Sequence, residues 1–534
     1  MSVTSTHSSR VASMAGGTLV SRLTGLLRVL VLAWVLGFTP LSDSFNLANT
    51  VPNMLYDVVL GGVATATFIP VFVERLAIDG ERRAWRSISS VITGSIIVLA
   101  VASVLAWVGA PWIIDSLTFL QRSSSAHSLA LVTQQRAVAT TLLRWFVPQI
   151  FFYGVIAIAT SLLNIRRRFA VATWVPIANN AVAIAVLVWF HLVDPTPNLA
   201  TLSGTRDLLW LGLGTTAGVI VQFLCLLPSL ARSDLWRLSP RLELRDPAVR
   251  SVRRIGSWTL LVVLTNQLSL FVVLAYAFGI GGNGPVSAYT YGFSFMLMPY
   301  AVVVVSVLAA VTPQLAAFAT GQDYGALRER LGFALRQSLV IIVPCTFALV
   351  VLSQPLAAIL LKHLNARHAW SVGTVIAILA VGLPGFTVFQ LCVRGLQAMQ
   401  RARMVFALYV LENGLTVALC VAFGRHSLSA LCAAVSAGYF AGAAAALVAL
   451  ARRRVNIISG VWGLHVRRSL YATTVASAVM ALAYAAPSWN HGVALVVRFA
   501  GAALAGAATY GAVVTQMRRR ERHRHVKGAR LGQF

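Results

Sequence analysis

Residues 147–169 have the sequence VPQIFFYGVIAIATSLLNIRRRF, a long uncharged run followed by three consecutive arginines. An α-helix rises about 1.5 Å per residue, so about 20 such residues cross a hydrocarbon layer about 30 Å thick. Arginines accumulate at the cytoplasmic ends of membrane helices. The stretch therefore predicts a membrane-spanning helix that ends in the cytoplasm near Arg166.

The composition of the whole chain extends this prediction. Of the 534 residues, 58% are hydrophobic and 11% are charged, and the mean hydropathy is +0.78. Soluble domains contain roughly 25% charged residues, so most of this chain is expected to lie in lipid. We predict an all-α polytopic membrane protein with about 14 transmembrane helices. The apolar segments lie at about 17–37, 44–74, 87–114, 138–164, 169–192, 207–230, 254–279, 285–319, 336–361, 370–398, 404–424, 428–451, 468–487 and 492–517.

Basic residues on the loops predict how the chain is oriented. Arginines cluster on every second connection, for example at 75–86, 166–168, 232–254 and 452–454, and again in the tail at 518–524. Because basic loops stay in the cytoplasm, this alternation over an even number of spans places both termini there. The formal net charge of +28 is thereby assigned to cytoplasmic loops, and nucleic acid is not expected as a partner.

A second pattern is an internal repeat. Pro148 stands sixteen residues before Asn164 and a basic turn. Pro384 likewise stands sixteen residues before Gln400 and a basic turn. Transporters commonly place a substrate site between such repeats, and we predict two six-helix lobes followed by two further helices. The predicted divisions are a cytoplasmic N-terminal tail at 1–16, an N lobe at 17–236 (helices 1–6), a C lobe at 237–456 (helices 7–12), helices 13 and 14 at 457–517, and a basic cytoplasmic tail at 518–534.

Polar side chains within the first two apolar segments predict a water-accessible cavity. A charge at mid-membrane costs about 2.5–3.5 kcal/mol on insertion scales, so each charge requires a reason. In helix 1, Arg28 shares a face with Ser21 and Gly25. Arg22 lies on the flank of that face, where snorkelling to the interface would also explain it. In helix 2, polar or small residues recur in steps of three and four, at Asn46, Asn49, Asn53, Asp57, Gly61 and Thr65. Asparagines that hold helices together would give the same pattern.

Later segments contain three further polar residues, Arg394, Glu412 and Asn413. Arg394 and Glu412 could form a structural ion pair, or Glu412 could bind a coupling cation. The sequence contains no GxxxxGK[ST] loop, no Ser/His/Asp constellation and no metal-ligand spacing among its five cysteines. We therefore expect a transporter rather than an enzyme, with no metal site and no cofactor other than such a cation.

Several stretches together resemble the MurJ/MviN family of lipid II flippases, within the multidrug/oligosaccharidyl-lipid/polysaccharide exporter superfamily. They are SRLTGLLR (21–28), LSDSFNLANTVPNML (41–55), FIPVF (68–72) and WVPIANN (174–180). The resemblance covers most of the chain and implies a location in the bacterial plasma membrane. It also implies that the substrate is lipid II or a related polyprenyl-pyrophosphate glycolipid, which would enter a cationic cavity between the lobes from the cytoplasm and leave on the outer leaflet by alternating access.

The resemblance assigns roles to individual positions. Arg22 and Arg28 match the two helix-1 arginines of the family and are expected to hold the pyrophosphate. Asn49, Asn53 and Asp57, from the polar stripe of helix 2, are expected to contact the substrate as well; Asn53 matches the family's Pro-Asn pair, whereas Asp57 stands where the family often has a basic residue. Asp43 matches the acidic residue after helix 1. It is expected to act in gating or coupling, as are Arg394, Glu412 and Asn413, which are chosen for their polarity within apolar segments and not from the resemblance.

The chain also departs from the family pattern. Tyr56 stands where a basic residue is common, and Val29 stands where aspartate is common. Having fewer charged residues at these positions resembles the pattern of actinobacterial-type members. Two alternatives therefore stay open: an exporter of another polyprenyl-linked glycan or amphiphile, and a non-transporting scaffold for cell-wall synthesis. Besides membrane lipids, cell-wall synthesis or division proteins are expected partners, with the tail at 518–534 as a docking segment.

Overall fold

The part of the chain that the structure describes is almost entirely helical and contains no strand. The structure is a computed structural model that describes residues 2–61, 68–78, 80–120, 126–166, 168–195, 197–199, 206–232, 239–243, 245–360, 366–453, 455–457, 464–486 and 492–531. The helices are α1 (Ser2–Leu36), α2 (Pro40–Tyr56), α3 (Ile69–Ile78), α4 (Gly80–Val108), α5 (Ala110–Leu117), α6 (Ala126–Phe146), α7 (Pro148–Ile165), α8 (Phe169–Val193), α9 (Arg206–Leu224), α10 (Leu227–Ala231), α11 (Pro247–Ile280), α12 (Pro285–Pro299), α13 (Val305–Thr320), α14 (Tyr324–Leu360), α15 (Ala366–Ala398), α16 (Ala402–Phe423), α17 (Leu428–Ala451), α18 (Leu464–Ala485) and α19 (Gly492–Leu531). Two π-helical turns, Asp57–Gly61 and Tyr300–Val304, follow α2 and α12.

The predicted class, an all-α polytopic membrane protein, is confirmed. Within the described ranges, 12 helical segments are long and apolar enough to cross a membrane. They coincide with all but two of the predicted segments. The segment predicted at 44–74 overlaps α2, the first π turn and α3, and the segment predicted at 468–487 overlaps α18. The number of about 14 spans is thus approximate, since these two segments are outside the set of twelve.

Several predicted boundaries differ from the observed helices. Helix α1 begins at Ser2, so the predicted tail at 1–16 is largely helical. Helix α14 begins at Tyr324, well before the predicted 336. The segment predicted at 138–164 is divided between α6 and α7. The division falls at Val147, directly before Pro148, which cannot donate a backbone hydrogen bond.

The chain forms two compact units, Met1–Tyr291 and Gly292–Phe534. In the first unit α1 packs on α8, α8 on α9 and α2 on α6. Helix α11 belongs to this unit because it packs on α3, α4, α5 and the first π turn. In the second unit α15 packs on α14 and α17, while α18 and α19 pack on each other and on α14. The division of the sequence into lobes at 236/237 remains a prediction.

Candidate functional site

The first turn of α2 places an acidic side chain in the interior of the first unit. Pro40 occupies the start of the helix, where a missing N–H costs nothing, and the Thr39 hydroxyl accepts a hydrogen bond from the backbone N–H of Ser42 at 3.2 Å. Asp43 follows and is only 1% exposed. A buried carboxylate requires hydrogen-bond donors, because it has lost its contact with water. Ser287 of α12 supplies two, from its backbone N–H at 2.8 Å and its hydroxyl at 2.7 Å.

The hydrogen bonds around Asp43 continue into a buried network. The Asn46 amide donates to the Ser287 hydroxyl at 3.0 Å and to the Tyr291 hydroxyl at 3.2 Å. Ser42 Oγ lies 3.1 Å from the Tyr291 hydroxyl and 2.9 Å from the Ser287 hydroxyl. We call Ser42, Asp43, Asn46, Ser287 and Tyr291 the Asp43 network. It joins the start of α2 to the start of α12 through hydrogen bonds that are shielded from water.

One glycine lets the turn before α12 approach α2 closely. Gly284 has a φ of +81°, in the region that side chains disfavour. A Cβ at this position would lie 2.6 Å from the backbone of Phe38, so any other residue would push the turn away. The Phe38 and Tyr291 rings are in edge contact, with centroids 5.3 Å apart. Gly284 therefore helps to place Ser287 and Tyr291 within reach of α2.

Further along α2, the same polar stripe becomes accessible. Asn49 is half-buried and Asn53 is exposed, and the Asn53 amide donates to the backbone oxygen of Asn49 at 3.0 Å. Asp57, in the π turn, is half-buried and accepts a hydrogen bond from Gln267 of α11 at 3.1 Å. These residues retain polar atoms that can contact a ligand, in contrast to the closed Asp43 network.

The structure brings Arg28 and Asp57 into one neighbourhood. The Arg28 guanidinium lies close enough to the Tyr153 hydroxyl to act on it electrostatically. The Tyr153 ring packs against Tyr56, with centroids 5.8 Å apart, and Asp57 in turn acts on the Tyr56 hydroxyl. We call Arg28, Tyr56, Asp57, Tyr153 and Gln267 the Arg28–Asp57 region. It combines a cation, an anion and two phenols at one place in the first unit.

Helix α1 is held in place by α8. The Asn180 amide donates to the Ser21 backbone oxygen at 3.3 Å and to the Thr24 hydroxyl at 3.0 Å. These contacts fix the rotation of α1 and hence the direction of Arg28, which is half-buried. Arg22 is exposed on the same helix, and no contact places it in the Arg28–Asp57 region among the residues that the structure describes.

The remaining predicted residues lie in the second unit. The Arg394 guanidinium donates to the Gln397 side chain of its own helix at 3.1 Å. Glu412 is 5% exposed, and the Asn413 side chain lies within hydrogen-bonding reach of its carboxylate. Within the described ranges, Arg394 and Glu412 form no ion pair, so that alternative is wrong. Both side chains instead lie near Tyr409, whose hydroxyl donates to Gln390 at 3.3 Å. The described residues contain no group of three or more His, Cys, Asp or Glu that could hold a metal ion.

Comparison with known proteins identifies the family. The sequence profile of lipid II flippase MurJ matches residues 32–499, which is most of the chain. The chain belongs to the lipid II flippase MurJ family. The predicted resemblance to MurJ is thereby confirmed, and the MurJ family consists of transporters rather than catalytic enzymes.

Individual relatives agree with this assignment to MurJ. The lipid II flippase MurJ of Burkholderia cenocepacia is 28% identical over 73% of this chain and 72% of its own length. The probable lipid II flippase MurJ of Rhizobium meliloti is 26% identical over 90% of this chain and 86% of its own length. A solved structure of lipid II flippase MurJ, in an inward closed conformation, has a TM-score of 0.72 at 18% identity and covers 95% of this chain and 98% of that one. It shows that the chain has the MurJ fold.

Sequence reasoning missed several partners of the predicted MurJ residues. Ser287 and Tyr291 are not charged and stand among apolar neighbours, so nothing in the sequence pairs them with Asp43. Tyr153 was missed for the same reason, whereas Gln267 follows two polar residues, Thr265 and Asn266, which were a signal that the prediction did not use. Asn46 belongs to the predicted stripe of helix 2, and only its burial separates it from Asn49 and Asn53.

Proposed function

We propose that this chain moves lipid II, an undecaprenyl-pyrophosphate-linked peptidoglycan precursor, from the inner to the outer leaflet of the plasma membrane by alternating access. Membership of the MurJ family supports the substrate class. The observation that carries the proposal is the contrast along α2: the Asp43 network is buried, whereas Asn49, Asn53 and Asp57 are accessible. A polar stripe that is closed at one end and open at the other is what a transporter needs when it faces one side.

The pyrophosphate of the substrate would bind to Arg28. A guanidinium presents N–H donors in a planar fork that matches phosphate oxygens, and such charge-assisted bonds are stronger away from bulk water. Arg28 is half-buried on a helix that packs on α8, so its backbone is already positioned before the substrate binds. Arg22, exposed two turns earlier, would meet the phosphates as they enter. Asn49, Asn53 and Asp57 would contact the sugar or peptide groups.

Release of the substrate would require the Asp43 network to open. In the proposed orientation both termini are cytoplasmic, so α1 leads outward and α2 begins near the outer surface. The hydrogen bonds between Asp43 and Ser287 would then close the outer end of the polar stripe. In this conformation α2 and the start of α12 lie in one compact unit, so the predicted C lobe would have to carry α12 away from α2 to break these bonds and open a path to the outer leaflet.

Three finer assignments accompany the proposal. The two six-helix lobes would be the bodies that move. Glu412 would bind a coupling cation or respond to one, since it is buried without an arginine partner among the described residues. The basic tail at 518–534 would meet anionic lipid or a cell-wall synthesis protein on the cytoplasmic side.

The proposal is tested by depleting the protein in cells and measuring lipid II on the outer leaflet with a membrane-impermeant reagent. Re-expression of the wild type is expected to restore outer-leaflet lipid II, whereas Arg28→Ala is expected to fail and Arg22→Ala to restore it in part. Arg144→Ala is the matched control, because Arg144 is also an arginine of a membrane span but lies over Trp107, 5.3 Å from its ring centroid. Unchanged outer-leaflet lipid II after depletion would contradict the proposal.

A further inference from the structure

A groove on the first unit shares no lining residue with the Asp43 network or the Arg28–Asp57 region. It has a volume of about 360 Å³ and is formed by the first π turn, α4, residues 239–243 and the start of α11. Its lining is almost entirely apolar and includes Leu60, Val91, Val98, Leu242 and Val252. Nothing in the transport mechanism uses this groove.

The groove opens toward lipid. Ile97 and Val98 line it and are 43% and 53% exposed on α4, which is a membrane-spanning helix. The exposed apolar face of α4 continues past the groove to Val104 and Leu105. In a membrane, exposed aliphatic side chains of this kind contact hydrocarbon, so the groove is open to the acyl chains of neighbouring lipids.

One end of the groove is closed by an extended segment, residues 239–243. The Ser90 hydroxyl accepts a hydrogen bond from the Glu243 N–H at 2.8 Å, and the Thr93 hydroxyl accepts one from the Arg241 N–H at 3.2 Å. This segment places Leu242 in the groove wall. The end of the groove is therefore built from hydrogen-bonded protein and has a fixed shape.

Arginines stand beyond that end. On α4, Arg83 precedes Ser87 by four residues and Arg86 precedes Ser90 by four, so both lie on or beside the face that carries the groove. Both side chains are exposed, and neither forms a hydrogen bond or ion pair with another described residue. Arg245, just before α11, is exposed as well.

Two acidic residues, Glu243 and Asp246, lie in the segment that runs beside this part of α4. Glu243 is 3.5 Å from Arg241 and forms an ion pair with it. Asp246 accepts hydrogen bonds from the Ala248 N–H at 2.7 Å and from the Ser87 hydroxyl at 2.8 Å, and so caps α11. Both carboxylates keep their charge, but residues 82–90 and 239–250 together contain six arginines against these two acids, so the charge at this end of the groove is positive.

We propose that this groove binds an anionic phospholipid, with an acyl chain along the apolar lining and the phosphate against Arg83 and Arg86. The apolar lining alone would accept any lipid, and the arginines select an anionic headgroup. Basic pockets between membrane helices on the cytoplasmic side bind anionic headgroups in this way. The groove thereby fastens α4 and the start of α11 to the leaflet that the basic loops face.

Thermal unfolding of the purified, delipidated full-length protein tests the proposal, because a ligand that binds the folded state raises the midpoint. Phosphatidylglycerol is expected to raise the midpoint of the wild type by several degrees, and phosphatidylcholine with the same acyl chains by much less. In the double variant Arg83→Gln/Arg86→Gln, the response to phosphatidylglycerol is expected to fall to the level of phosphatidylcholine. The matched control is Arg452→Gln/Arg453→Gln, which removes two exposed arginines elsewhere and is expected to keep the response.

A second pair of variants tests the apolar part of the groove. A Cβ at Gly94 would meet only Leu242, at 3.8 Å, so Gly94→Ala is tolerated, whereas Gly94→Trp would fill the groove. Gly94→Trp is expected to lose the response to phosphatidylglycerol and Gly94→Ala to keep it. An equal response in the wild type and the Arg83→Gln/Arg86→Gln variant would overturn the proposal. So would the absence of a wild-type response to phosphatidylglycerol beyond the response to phosphatidylcholine.

Discussion

The two ends of α2 carry the same kinds of polar residue in different surroundings. At its start, Asp43 and Asn46 are buried and bond to Ser287 and Tyr291 on α12. Further along, Asn53 bonds only to its own helix and Asp57 bonds to Gln267, while both remain accessible. Within four turns of one helix, amide and carboxylate groups at the start thus bond to another helix, whereas those further along remain able to bind a ligand.

The difference is one of hydrogen-bond capacity. A polar group that is fully bonded to the protein stabilises a particular packing and has little left for a substrate. A polar group that bonds within its own helix fixes no second element and can exchange water for substrate. We therefore assign conformational closure to the Asp43 network and substrate contact to the Arg28–Asp57 region, and substitutions should separate the two.

The largest effect on stability is expected for Asp43→Ala. It removes the acceptor of two Ser287 donors in a buried site, and unsatisfied buried donors cost about 1–3 kcal/mol each, so we expect a loss of about 3 kcal/mol. The loss is measured as a lower midpoint of thermal unfolding in detergent. Asp43→Asn keeps an acceptor oxygen and should lose much less stability. If Asp43→Ala unfolded at the same temperature as the wild type, the Asp43 network would not hold α2 to α12.

The next effect concerns transport and should leave stability nearly intact. Arg28→Ala removes a charge-assisted contact to phosphate worth about 2 kcal/mol, which corresponds to about thirtyfold weaker binding of lipid II. Because Arg28 is half-buried, the midpoint of thermal unfolding should change little. The measurement is the affinity of the purified variant for lipid II. The affinity of Arg28→Lys is expected to lie between those of the wild type and Arg28→Ala. Equal binding by the wild type and Arg28→Ala would remove Arg28 from the substrate site.

A matched pair of asparagines tests the comparison within one helix. Asn46→Ala breaks bonds to Ser287 and Tyr291 and should cost about 1–2 kcal/mol of stability. Asn53→Ala removes an exposed side chain that bonds only within α2 and should cost less than about 0.5 kcal/mol. Thermal unfolding of the two variants side by side checks this. If both variants unfolded at the same temperature, burial would not distinguish the two ends of α2.

The smallest effect is expected for Asp57→Asn. The substitution removes a charge but keeps an oxygen that can accept from Gln267, so stability should change by less than about 0.5 kcal/mol. Contact with neutral sugar or peptide groups is also retained, and transport should fall by no more than a few-fold. A transport assay in vesicles measures this, and a complete loss would mean that the charge itself is needed.

Most of the fold could be predicted because lipid imposes a strong constraint on sequence. Uncharged runs such as 147–165 become helices, and twelve segments found by length and composition recur in the structure. The interruptions were harder to predict. The π turn at Asp57–Gly61 and the break at Val147 leave the hydropathy of their segments unchanged, so only local backbone geometry reveals them.

The charged residues of the candidate site could be predicted from the sequence, because a charge within the membrane has a high free-energy cost. Its uncharged residues could not. Arg28 and Asp57 were found because charged groups in apolar helices are rare. Ser287 and Tyr291 lie more than 240 residues after their α2 partners, and hydroxyl groups are common in membrane helices, so no local pattern joins them. The pairing of Arg394 with Glu412 was wrong because opposite charges in neighbouring segments need not face each other.

The most direct test of the central claim is translocation of lipid II by the purified protein in liposomes. Lipid II is incorporated in both leaflets, and a membrane-impermeant reagent measures how much of it can be reached from outside over time. With wild-type protein the inner-leaflet pool should become reachable, and with Arg28→Ala it should stay protected as in protein-free liposomes. An inner-leaflet pool that stays protected with the wild type, or is released equally by Arg28→Ala, would contradict the account.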